Sequence, residues 1–168
     1  MNSSNFRNFR AGLITLSLIA GGTLAWPAAA AFPFTGVQTQ AAIDVELSAA
    51  KQQFEALSKR TTAMMAQTVA RAEAKMKSLK KQHASDSAIT AVYNQALSQL
   101  TSNARSSNPP LNRLEGTYLI RLRRLGSSPE DVNTMFGYGD DVVDEISTAL
   151  AVAQDDLAEA LAGVLGTN

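Results

Sequence analysis

Residues 43–79, IDVELSAAKQQFEALSKRTTAMMAQTVARAEAKMKSL, decide the fold of this chain. Within them Ile43, Leu47, Ala50, Phe54, Leu57, Thr61, Met64, Thr68, Ala72, Met76 and Leu79 fall three or four positions apart, the spacing that lines up one face of an α-helix. Neither glycine nor proline, the residues that punctuate loops and interrupt helices, occurs in residues 37–108. The pattern predicts a first helix over 40–82, about 64 Å long at 1.5 Å per residue.

Working outward, Gln82-His83-Ala84-Ser85-Asp86 is a break, with Ser85 or Asp86 placed to cap a second helix over 87–104. Ile89, Val92, Tyr93, Ala96, Leu97 and Leu100 form its inner side. Ser106-Ser107-Asn108-Pro109-Pro110 reads as a loop, followed by a third helix over 110–125 with Leu111, Leu114, Tyr118, Leu122 and Leu125 inward. Gly126 suits a left-handed stop, Ser128 an N-cap and Pro129 a first helical position, with Glu130 and Asp131 favoured by the helix dipole. A short helix over 129–136, closed by Gly137-Tyr138-Gly139, then precedes a last helix over 140–165. Val143, Ile146, Leu150, Ala153, Leu157, Ala160 and Val164 mark the seam of that helix. No segment alternates with period two, so strands are not expected.

The expected fold is all-α, four main helices plus one short helix, arranged as an elongated antiparallel bundle or hairpin. None of the later helices is long enough to cover the first. Three solutions follow: a bend near Thr61-Thr62, an elongated molecule, or a second copy on the exposed stripe. Elongation with some oligomerisation is the expectation.

Ahead of the helices, Arg7 and Arg10 precede the uncharged apolar run 11–25 (AGLITLSLIAGGTLA), and small alanines follow at residues 28–31. This is the layout of a cleavable signal peptide over 1–31, too short to span a bilayer. It predicts an exported protein, periplasmic or extracellular, whose mature part is one helical domain over 32–168 with no transmembrane segment. The chain contains no cysteine, so disulfides, thiolate chemistry and lipidation of an N-terminal cysteine are excluded.

The formal charge of zero hides a division. Residues 51–124 hold thirteen basic and four acidic side chains, whereas residues 125–168 hold nine acidic and no basic ones. The expectation is that the acidic last helix neutralises the basic helices inside the bundle, because unpaired blocks of like charge repel.

Catalytic chemistry finds little support. His83 is the only histidine and sits in an interhelix turn, and no nucleophile elbow, phosphate-binding glycine loop or dinucleotide fingerprint occurs. No enzyme activity, cofactor or metal is expected. The nearest approach to a calcium site is Asp140, Asp141, Asp144 and Glu145, which lack the alternating ligand pattern of a calcium loop and read as first-turn acids. Lys77, Lys81, Arg113 and Arg124 are candidate contacts for an anionic polymer or lipid headgroup, with no interleaved aromatics to suggest sequence-specific nucleic-acid binding. Phe32, Phe34 and Met65 are candidate partner contacts, Met65 because it falls beside the helical stripe. The expected function is non-enzymatic: protein–protein contact in the cell envelope, in an interaction, scaffold or chaperone-like role, with an unidentified protein partner and a homo-oligomer as a further candidate. Binding of anionic envelope polymers or lipids, and a small-ligand or calcium-binding bundle, are the alternatives.

Overall fold

The computed structural model describes residues 36–166. The expected signal peptide over 1–31 and the candidate contacts Phe32 and Phe34 lie outside the described residues. Those that are described form helices α1 (Gly36–Lys81), α2 (Asp86–Ser106), α3 (Asn108–Arg124) and α4 (Pro129–Leu165), and no strand occurs among them. None of these helices is long and apolar enough to cross a membrane.

α1 is one uninterrupted helix of 46 residues, about 69 Å long. It stops at a left-handed residue, His83 with φ of 55°. The Ala84 N–H bonds the Leu79 carbonyl and the His83 N–H the Lys80 carbonyl, both at 3.0 Å, which satisfies carbonyls the ending helix leaves open. Ser85 then caps α2, its hydroxyl accepting from the Ala88 N–H at 3.3 Å. A Lys80–Asp86 ion pair at 3.7 Å spans the turn.

The expected loop at Ser106-Ser107-Asn108-Pro109-Pro110 is absent. Ser107 alone separates α2 from α3, and its own backbone is helical (φ −77°, ψ −20°). Pro109 and Pro110 occupy the first turn of α3, where their missing N–H groups would have had no helical partner anyway. The buried Ser107 hydroxyl donates to the Ala104 carbonyl at 2.6 Å. α2 and α3 therefore stack end to end as one rod.

That rod solves the length problem. It runs back along α1, as Asn103 to Thr68 (3.1 Å) and Arg121 to Glu46 (3.3 Å) show, so two short helices cover what neither covers alone. Gly126, at φ 73°, ends the rod. α4 then begins with a reciprocal cap in which the Asp131 N–H donates to the Ser128 hydroxyl (3.2 Å) and the Ser128 N–H to the Asp131 carboxylate (2.8 Å). α4 runs parallel to α1 and antiparallel to the α2–α3 rod. The molecule is an elongated bundle of three rods.

The expected short helix over 129–136 and a separate one over 140–165 are a single helix of 37 residues. Gly137-Tyr138-Gly139 does not break it, because the inward row Met135, Gly139, Val142, Ile146 continues through the glycines at steps of four, three and four. Burial of that row outweighs the roughly 1 kcal/mol that a helical glycine costs relative to alanine.

Two seams shift by one residue from their expected registers. On α1 the buried row is Ile43, Ala50, Phe54, Ser58, Thr61, Met65, Ala72 and Met76, so Ser58 and Met65 stand where Leu57 and Met64 were expected. On α4 Val142 is buried and Val143 only half-buried. The shift is local: Ile43, Ala50, Phe54, Thr61, Ala72 and Met76 belong to both rows, and Leu57 and Met64 are half-buried beside Ser58 and Met65. Two polar residues sit in this row without penalty: the Thr61 hydroxyl donates to the Leu57 carbonyl at 2.9 Å, and Ser58 bonds across to α4.

Candidate functional site

The candidate contacts proposed from sequence do not converge. Met65 is 1% exposed and belongs to the core with Phe54, Met76, Leu100, Leu122 and Met135. That burial overturns its expected role as an exposed partner contact, since the core encloses the side chain. Lys77 pairs with Glu73 one turn away at 2.5 Å, and Lys81 is exposed at the end of α1. Arg124 is exposed at the end of α3, beyond the Arg121–Glu46 pair. Glu46 lies 31 positions before Lys77 on α1, so the two ends are roughly 45 Å apart. Only Arg113 borders a groove.

The acidic cluster also changes meaning. With α4 beginning at Pro129, Asp140, Asp141, Asp144 and Glu145 lie in mid-helix, well beyond the first turn where the dipole would favour them. Asp140 and Asp144 each have a partner, and Glu145 accepts the Ser58 hydroxyl. Among the described residues no three histidine, aspartate or glutamate side chains gather as metal ligands.

Two grooves do stand out, in line along one side of α1. The first, of about 550 Å³, lies between α1 and α2; the second, of about 340 Å³, lies between α1 and α3. Their α1 walls are Gln53, Leu57, Arg60, Met64, Gln67, Arg71 and Lys75, which recur every three or four residues and so share one side of the helix. From Gln53 to Lys75 this furrow is about 33 Å long. Gln95, Gln99 and Asn103 of α2, then Pro110, Arg113 and Thr117 of α3, form the opposite wall.

The furrow floor is apolar under the first groove, where Met64, Ala72, Val92 and Ala96 meet. Its walls are held by a polar chain: Gln99 donates to Asn103 at 3.0 Å, Asn103 to Thr68 at 3.1 Å, and Thr68 to the Met64 carbonyl at 2.9 Å. Arg60, Arg71, Lys75 and Arg113 line it, and no acidic side chain does. Among the described residues these four cations enter no ion pair; the pairs Lys59–Glu55, Lys77–Glu73, Lys80–Asp86 and Arg121–Glu46 involve other charges. None of these four pairs draws its carboxylate from α4, so they do not supply the expected neutralisation of the basic helices by the acidic last helix. Arg60 and Arg71 carried no sequence signal of their own, because they flank the apolar stripe instead of forming it.

Chemically, the furrow can hold an extended or helical segment through amide hydrogen bonds, charge and a narrow apolar floor. It has no histidine, carboxylate or thiol along it to move a proton or attack a carbonyl. Compared with protein-family models, curated proteins and solved structures, the chain matches none.

Proposed function

We propose that this is an exported, non-enzymatic helical protein that works by protein–protein contact, with the furrow along α1 as its docking surface. The observation that carries the reading is the furrow itself. Four cations without ion-pair partners among the described residues, a row of glutamines and an apolar floor line two grooves that follow one another along the same side of α1. Such a surface accepts an amphipathic segment bearing acids beside an apolar ridge. Export rests on Arg7 and Arg10, the apolar run 11–25 and the alanines before Phe32. The protein then works in the periplasm or outside the cell.

The test is site-specific photo-cross-linking in the native cells, with the probe at Gln67 or Gln99 in the furrow and at Ala91, exposed on α2, as control. Furrow probes are expected to capture a protein that the control does not. Equal capture at Ala91 defeats the reading, and so does capture of polysaccharide or lipid in place of protein. The mass of the processed chain checks the export step: it should begin at Ala31 or Phe32.

A further inference from the structure

The outer side of α4 carries what the furrow lacks. Opposite its buried row Val142, Ile146, Ala153 and Leu157, the helix presents Asp141, Val152, Asp155 and Glu159, all exposed and related by helical steps. Val152, at 53% exposure, is one of the few large hydrophobic side chains left in water, and Asp155 and Glu159 follow it at three and seven positions. Asp141, Asp155 and Glu159 enter no ion pair among the described residues. From Asp141 to Glu159 the ridge is about 27 Å long, against about 33 Å for the furrow.

We propose that the acidic ridge of α4 in one copy seats in the basic furrow of the next, so that the chain assembles with itself head to tail. This rests on the furrow being a protein-docking surface, as argued above, and names its occupant. The charges are complementary in sign and similar in reach: Arg60, Arg71, Lys75 and Arg113 face Asp141, Asp155 and Glu159. Val152 supplies the apolar ridge that fits the floor of Met64, Ala72, Val92 and Ala96. Residues 32–168 hold 13 basic and 15 acidic side chains, close enough to balance that charges separated within one copy largely cancel between copies.

Geometry also sets the kind of assembly. The furrow opens on the side of the bundle formed by α1 and the α2–α3 rod, and the ridge lies on α4. Donor and acceptor surfaces differ and lie on different sides of the bundle, so docking is heterologous and adds copies head to tail, into an open chain or a ring, instead of pairing two copies through one shared patch.

Sedimentation velocity of the purified protein over a range of concentrations tests this. At about 0.1 M salt the species should grow with concentration beyond the size of one copy. Raising salt to about 1 M, where the screening length falls from about 10 Å to about 3 Å, should weaken association by roughly tenfold or more. Two exposed charge reversals give the sharper result. Arg71→Glu with Lys75→Glu makes the first groove acidic, and Asp155→Lys with Glu159→Lys makes the end of the ridge beyond Val152 basic. Each variant alone should stay monomeric, and an equimolar mixture of the two should regain growth, since every furrow then meets a ridge of opposite charge. A wild-type protein that stays monomeric at low salt overturns self-docking, as does a mixture that fails to associate. The cellular cross-links separate this failure from the broader one. Furrow links to a different protein overturn self-docking and leave the docking furrow standing, whereas the absence of protein links at Gln67 and Gln99 overturns both.

Discussion

The Ser58 hydroxyl on α1 donates to the Glu145 carboxylate on α4 at 2.5 Å, joining the two long helices near their middles. The arrangement is asymmetric: Ser58 is buried in the apolar row and Glu145 is exposed. A bond between a neutral donor and a charged acceptor contributes about 1.5–3 kcal/mol where water is excluded, and less where one partner is wet. Ser58→Ala should therefore lower the unfolding free energy by about 1–2 kcal/mol, and Glu145→Gln, which keeps an acceptor, by roughly 0.5 kcal/mol. In a urea-unfolding cycle combining Ser58→Ala with Glu145→Ala, the two should couple by about 1 kcal/mol. Purely additive losses would mean that the bond contributes nothing to holding α4 on α1.

The neighbouring methionines on α1 make a second contrast. Met65 is enclosed by the core, while Met64 is half-buried at the furrow floor. Met65→Ala should cost about 2–5 kcal/mol, through lost apolar transfer and a residual cavity. Met64→Ala should cost about 1 kcal/mol or less, since solvent already reaches the site. Chemical denaturation of both variants decides it; equal losses would place the α1 seam in the other register.

His83 and Gly126 perform the same backbone task at the two ends of the rod, with φ of 55° and 73°. Only glycine adopts this left-handed conformation without a steric penalty from Cβ, which amounts to roughly 1 kcal/mol. His83→Gly should accordingly raise stability by about 0.5–1 kcal/mol, and Gly126→Ala should lower it by a similar amount. No atom lies within 4 Å of a Cβ built at Gly126, so the loss there would be conformational and not a clash. Thermal melting of the pair is the check: a destabilised His83→Gly protein would show that the imidazole does more than cap α1.

The helical class and the turn chemistry at Gly126, Ser128 and Pro129 were readable because they depend on local residue preferences. The seam of α1 was misread at Leu57 and Met64 for a different reason. Hydrophobicity favoured Leu57 over Ser58, and only a partner across the bundle, Glu145, makes a serine acceptable at a buried position. The stacking of α2 on α3 was hidden by Pro109-Pro110, whose local signal is the same for a loop and for a helix start with one residue between. The furrow was the least legible feature. It is assembled from residues far apart in the chain, on three helices, at positions flanking the apolar stripes, so no periodicity pointed to Arg60 or Arg71.

The glycines of α4 test why that helix is continuous. Gly137 lies in the helix with no atom within 4 Å of a Cβ placed on it, so it contributes flexibility and no close approach. Gly139, two residues on, is buried in the row with Met135 and Val142. If packing carries the helix across Gly137-Tyr138-Gly139, Gly137→Ala should stabilise the protein by about 0.5–1 kcal/mol through helix propensity alone. Gly139→Leu should instead destabilise it by about 1–3 kcal/mol or more, since a large side chain must enter a filled core. Helical content by circular dichroism should be unchanged in the first variant, with only the melting point moving upward. A loss of helix on Gly137→Ala would show that the chain needs a bend at residue 137 and that α4 is two helices in solution.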